Sequence, residues 1–137
     1  MGRLLAALVA ISLSIEGAVA QQSYPSRPIT IVVPFPSGGV TDTVGRVLAE
    51  RMKEHIGQSV VVENVSGAGG TIGSARVARA TPDGYTILVG QWTSHVGGGA
   101  LYTLQYDTVN DFAPISLLTI APLWIVGPSS LPAKDVR

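Results

Sequence analysis

Apolar residues along this chain alternate between two periods, one typical of buried strands and one typical of helices. Apolar runs at Ile29–Val33, at residues 60–62 and at residues 85–89 predict three strands. The first two runs are β-branched without alternation, as in strands that are covered on both faces. Alternation of strands with helical segments predicts an α/β fold with a mostly parallel sheet flanked by helices.

Two helices are predicted between these strands. The apolar face of the first consists of positions spaced three and four apart, which are Val44, Val47, Leu48, Met52 and Ile56. Thr41 or Asp42 is its predicted cap, and Gly57 follows its end. The second helix is predicted over residues 71–80, with Ile72, Ala75 and Ala78 facing inward. Residues 81–84, Thr-Pro-Asp-Gly, predict a turn before the third strand.

The pattern weakens after Gly90. Residues 91–100 contain a run of three glycines and predict a loop at the carboxyl end of the third strand. Residues 113–127 form a mostly extended apolar segment that Pro122 interrupts. Proline within such a run predicts two strand pieces or a bend rather than a helix.

Glycine-rich loops follow the first and second strands, at residues 34–39 and 67–70. Such loops present free backbone N–H groups and the positive end of a helix dipole at the carboxyl edge of a parallel sheet, where small anions bind. They predict an anion-binding crevice, although tight turns with nothing bound remain an alternative. A dinucleotide motif starting at Gly67 is excluded because it needs glycine at position 72, which is Ile72.

Candidate ligand contacts lie in or beside these two loops and in the loop after the third strand. They are Phe35, Ser37, Gly38, Gly39, Thr41, Asp42, Asn64, Gly69, Gly70, Thr93, Ser94 and His95. The hydroxyls of Thr93 and Ser94 can donate hydrogen bonds to a carboxylate. Asp42 either caps its helix or pairs with an ammonium or hydroxyl group of the ligand. His95 either contacts the ligand or lies on the loop surface.

Residues 1–20 form a separate predicted segment. One basic residue precedes an apolar stretch at residues 4–15, and residues 18–20, Ala-Val-Ala, fit a signal-peptidase site. This pattern predicts a cleaved export signal, with the mature chain starting at Gln21 in a bacterial periplasm. The alternative is an uncleaved membrane anchor, which the short apolar stretch disfavours.

Composition narrows the classes of partner. The 137 residues include nine Lys and Arg, nine Asp and Glu, and no Cys. Balanced charge without a basic cluster argues against nucleic acid as a partner. The absence of Cys excludes disulfide partners and thiolate metal sites, and the motifs predict neither a metal nor a cofactor.

Catalytic motifs such as G-x-S-x-G and H-E-x-x-H are absent, so the sequence predicts a binding protein rather than an enzyme. The alternative is a lobe of an exported hydrolase, in which Ser94 or Ser37 acts with His95 and Asp42. A third possibility is a fragment that does not fold independently.

Several segments occur together in a characteristic order. They are YPSRP at 24–28, IVVPFPSGGVTD at 31–42, VVVEN at 60–64, GAGGTIG at 67–73, PDGYT at 82–86, ALY at 100–102, YD at 106–107, DFAPIS at 111–116 and SLPAKDVR at 130–137. In combination they resemble the Bug-type extracytoplasmic solute receptors of tripartite tricarboxylate transporters.

The resemblance implies a two-lobed periplasmic-binding-protein fold of type II. Such a receptor captures a small carboxylate and passes it to membrane permease subunits. On this basis residues 21–124 are lobe 1, and residues 125–137 are the hinge crossing and the start of an incomplete lobe 2. Val65 and Ser66 stand where the family has Arg-Pro, so no guanidinium contact is expected there.

Overall fold

A computed structural model describes residues 23–120, 122, 126–128 and 130. The predicted export signal at residues 1–20 lies outside the described residues. Most of the predicted hinge crossing at residues 125–137 lies outside them too.

The described residues form a three-stranded parallel sheet. Strands β1 (Ile29–Val33), β2 (Val60–Asn64) and β3 (Thr86–Leu88) are arranged in the order β2-β1-β3. Ile31 of β1 pairs with Val62 on one side and with Ile87 on the other. The predicted parallel α/β arrangement is therefore confirmed, and the first strand has the predicted bounds.

Helix α1 (Val40–Ile56) connects β1 to β2 and begins earlier than its apolar pattern suggests. Its N-cap is Gly39, without a side-chain capping bond, so the predicted cap at Thr41 or Asp42 is wrong. Its end is as predicted, since Gly57 adopts a left-handed conformation with φ of 66°.

The buried face of α1 differs from the predicted one at Val47, which is 60% exposed. Gly45 and Ala49 are buried instead. A Cβ added at Gly45 would stand 2.8 Å from Cγ2 of Val33, so the helix backbone lies almost directly on β1. The smallest residues of α1 therefore occupy its closest approach to the sheet, and Val47 turns towards solvent.

Helix α2 (Thr71–Ala78) connects β2 to β3. The prediction that Ile72 faces inward is wrong, because its side chain is 54% exposed and lies over Gly67. Ala75 is buried as predicted, and Ser74 is buried as well.

The core lies between the sheet and α1. Ile31, Val33, Ala49 and Val89 form its buried cluster. Val32, which alternation places on the opposite face of β1, is also fully buried. The central strand is thus covered on both faces, as its β-branched run without alternation predicts.

Residues 91–100 do not form the predicted irregular loop. A π-helical turn (Thr93–Gly97) leads directly into a short helix α3 (Gly98–Leu101). A Cβ at Gly97 would overlap the indole of Trp92, and one at Gly98 would stand 2.9 Å from Cγ2 of Thr71. Close packing, and not intrinsic helix propensity, explains why glycines are helical here.

The apolar segment after Phe112 is also irregular where it is described. Residues 113–120 form neither of the predicted strand pieces, and the side chains of Leu117 and Ile120 are 77% and 82% exposed. The apolar side chains of residues 113–120 therefore do not pack into the core of the described part of the chain.

Candidate functional site

Three loops converge at the carboxyl edge of the sheet, as expected for parallel strands. The contact point is Gly70 of the second loop. A Cβ added there would stand 2.8 Å from Cβ of Ser94 in the third loop and 3.1 Å from Cζ of Phe35 in the first. The structure thus brings together candidate residues from all three predicted loops.

The first loop and the start of α1 border an open cavity of about 590 Å³. It is lined by Phe35, Pro36, Ser37, Gly38, Gly39, Val40, Thr41 and Gln91. Backbone N–H groups in the first turn of a helix have no acceptor within the helix, so those of Val40 and Thr41 remain available to a ligand. The cavity therefore combines helix-start donors with the hydroxyls of Ser37 and Thr41.

Only one of the two first-loop glycines has a positive φ. Gly38 has a φ of 85°, whereas Gly39 has a φ of −79° and is extended. The N–H of Gly38 is already engaged, because it donates to Oδ2 of Asp42 at 2.7 Å. Gly38 thus determines the shape of the loop. Its N–H is not the free donor that the sequence predicts.

Asp42 lies beneath this loop and is only 3% exposed. Its Oδ2 accepts hydrogen bonds from Gly38 and from Nε of Arg46, the latter at 2.9 Å, and its Oδ1 accepts one from Asn64 at 2.9 Å. The hydrogen bond from Arg46, followed by those from Gly38 and Asn64, lowers the pKa of Asp42 to about 2. Asp42 is therefore an ionised internal anchor of the loop in this structure.

Asn64, at the end of β2, links the second strand to the first loop. Its Nδ2 donates to the carbonyl of Phe35 at 3.0 Å as well as to Asp42. Its Oδ1 accepts a hydrogen bond from Nη2 of Arg46 at 3.2 Å. The side-chain amide of Asn64 thus stabilises loop geometry through all three contacts.

Gly69 completes the second loop. It has a φ of 64°, and a Cβ there would stand 3.3 Å from the ring of Tyr102. Helix α2 starts immediately after Gly70, so this loop does lead into a helix N-terminus as predicted.

Gln91 was not among the candidates from sequence. Its Oε1 accepts a hydrogen bond from Thr41 at 3.3 Å, and its Nε2 donates to Oγ1 of Thr93 at 3.0 Å. Gln91 thus joins the first loop to the third. A polar residue so soon after the third predicted strand was the signal that could have identified it.

Ser94 is fully buried and does not present its hydroxyl to the cavity. Its Oγ donates to the carbonyl of Gln91 at 3.1 Å and accepts from the N–H of Gln91 at 3.2 Å. Ser94 therefore holds the π-helical turn in place, while Thr93 remains exposed.

The family model described as tripartite tricarboxylate transporter family receptor matches residues 44–137. The chain belongs to this receptor family. Among the curated relatives of the receptor, a UPF0065 protein in the TAR-I ttuE-ttuC' intergenic region of Agrobacterium vitis is 44% identical over 136 residues. The alignment covers 96% of this chain and 38% of that relative.

Protein BugT of Bordetella pertussis is 39% identical over 130 residues, which cover 92% of this receptor chain and 40% of BugT. The chain thus spans about two fifths of the length of these relatives. Among solved structures, MatC from Rhodopseudomonas palustris with bound malate matches with a TM-score of 0.66 and 46% identity. That match covers 69% of this chain and 33% of MatC, and the periplasmic-binding-protein fold is confirmed.

The family is one of solute receptors and not of enzymes. Within the described residues, the ring of His95 has no hydrogen bond to Ser94, Ser37 or Asp42. The ring packs on Phe112 with centroids 4.6 Å apart, and burial lowers the pKa of His95. The described residues therefore do not bring together the nucleophile and the base that a hydrolase would require.

Two absences concern only the described part of the receptor. None of its helices is long and apolar enough to cross a bilayer. Within the same residues, no three or more His, Cys, Asp and Glu side chains gather closely enough to bind a metal ion.

Proposed function

We propose that this chain forms one wall of a receptor that captures a small carboxylate and delivers it to the permease subunits of a tripartite tricarboxylate transporter. The observation that carries the proposal is the convergence of three loops at the carboxyl edge of the sheet, around helix-start donors that face an open cavity. Similarity to MatC, which was solved with malate, supports a carboxylate as the ligand.

The chemistry of the wall suits a carboxylate oxygen. Free N–H groups at the start of α1 carry partial positive charge, and an anion there also interacts favourably with the helix dipole. The hydroxyl of Ser37 adds a donor at the same edge, whereas that of Thr41 already donates to Gln91. Backbone and hydroxyl donors discriminate little between carboxylates, so charge is the expected primary determinant of binding.

The proposed location is the periplasm. The predicted export signal at residues 1–20 supports it, with Gln21 as the first mature residue. In the intact receptor, residues 21–124 would be lobe 1 and residues 125–137 the crossing towards lobe 2. Closure of two lobes excludes water from the ligand and strengthens each contact. We therefore expect this chain alone to bind weakly.

Nuclear magnetic resonance of the ¹⁵N-labelled chain detects such weak binding directly. Malate should shift the amide resonances of residues 37–41 and of Gln91 in fast exchange, with a dissociation constant of about 1 mM or weaker. The neutral diamide of malic acid is the matched control and should leave these resonances in place. Equal shifts with acid and diamide, or no shifts with malate, would contradict the proposed function.

A further inference from the structure

We propose that Arg46 is a positioning residue of the carboxylate site, which neutralises Asp42 beneath the first loop and thereby allows an anion to bind above it. The inference rests on the proposed function for its ligand.

The geometry is a closed ring of three side chains. Arg46 donates from Nε to Asp42 and from Nη2 to Asn64, and Asn64 donates in turn to Asp42. The ring is attached to the first loop at two points, the N–H of Gly38 and the carbonyl of Phe35. Loop geometry therefore depends on all three side chains together.

Charge makes Arg46 the decisive member of the ring. Asp42 is a buried carboxylate directly below a loop that is proposed to bind another carboxylate, and the two negative charges repel. The Arg46 side chain remains 55% exposed, so burial of its own surface contributes little to folding. Its guanidinium donates to two acceptors at once, whereas the ammonium of a lysine at this position would act as a single point charge.

The first test needs no ligand. The Gly38 amide resonance reports the ionisation of Asp42, because this N–H donates to the carboxylate. In the unmodified chain Asp42 titrates near pH 2, so the resonance should be constant at higher pH. In Arg46→Gln the midpoint should rise towards the ordinary aspartate value of 3.8, with Arg46→Lys between the two.

Arg51→Gln is the matched control. Arg51 lies on the same helix and pairs with Glu54 at 3.0 Å, so its removal deletes the same charge without touching the ring. The Gly38 titration should then match that of the unmodified chain. An unchanged titration in Arg46→Gln would overturn the assigned role of Arg46, whatever the unmodified chain binds.

The second test is a double-mutant cycle on malate affinity. Arg46→Gln should weaken malate binding by about tenfold or more, and Arg51→Gln should not. The double variant Asp42→Asn with Arg46→Gln should recover most of the loss, because the repelling carboxylate is then absent. If Arg46→Gln lost affinity for malate and the double variant did not recover it, charge neutralisation would be contradicted and the role of Arg46 would be purely structural. Failure of the unmodified chain to bind malate would instead contradict the proposed function.

Discussion

Gly70 and Ser94 approach so closely that a Cβ on Gly70 would stand 2.8 Å from the Cβ of Ser94. The first residue belongs to the loop after β2 and the second to the π-helical turn after β3. Since β1 lies between these two strands, the contact crosses over the end of the central strand. Gly70 is required here both for space and for its φ of 95°.

Replacement of Gly70 by alanine should therefore lower the free energy of unfolding by about 3 kcal/mol, from left-handed strain together with overpacking. Gly57→Ala is the control, because Gly57 has a φ of 66° and open space around it. It should cost only about 1 kcal/mol. Urea denaturation measures both, and equal losses would mean that the contact with Ser94 contributes nothing.

The two glycines of the first loop should respond differently to substitution. Gly38→Ala places a side chain at a φ of 85°, and the resulting strain should distort the loop and weaken malate binding at least about tenfold. Gly39→Ala should change affinity by no more than about threefold, since its backbone is extended and its nearest neighbour is 3.6 Å away. Titration by nuclear magnetic resonance compares the two. Similar affinities would remove Gly38 from the determinants of the site.

Asp42 should make stability depend on acid pH. Its folded pKa of about 2 lies below the ordinary value of 3.8, so its contribution is complete above pH 3.8 and disappears as the pH falls through about 2. Asp42→Asn should therefore destabilise the chain at neutral pH, with the difference vanishing near pH 2. Thermal unfolding across this range measures the difference. Glu50→Gln, on the exposed side of the same helix, is the control for removal of one carboxylate charge, and an equal loss of stability there would contradict the role of Asp42.

The exposed apolar residues after Phe112 should cause self-association of the isolated chain. Leu117 and Ile120 are 77% and 82% exposed, and apolar surface of this kind promotes aggregation. Analytical ultracentrifugation should show mass increasing with concentration. Leu117→Lys should reduce this effect, whereas Val47→Lys, which alters an isolated exposed valine on α1, should not. A clean monomer at all concentrations would refute the expectation.

Exported material should begin at Gln21. Cleavage after residues 18–20, Ala-Val-Ala, removes the predicted signal, and intact-mass measurement of the periplasmic fraction identifies the first residue. Ala20→Leu should block processing, because the peptidase site requires a small residue there. Mature protein that still carries residues 1–20 would support the anchor alternative.

The spacing of apolar residues along the chain was enough to predict the strands of the sheet and the positions of the loops that follow them. The run Ile29–Val33 is β-branched at every position and does not alternate between apolar and polar residues, which is typical of a strand covered on both faces. Gly57 ends α1 because glycine adopts the left-handed conformation at little cost. Both conclusions depend only on which residue types are adjacent along the chain, and the sequence contains that information.

Only the tertiary structure decided which groups face one another. The pattern marks Val47 as apolar but does not reveal that Gly45 approaches Val33, which turns Val47 outward. Asp42 follows the loop in sequence, yet its hydrogen bond with Asn64 depends on where β2 ends beside β1. Contacts between residues distant in sequence depend on how whole helices and strands pack, and they cannot be predicted from the properties of single residues.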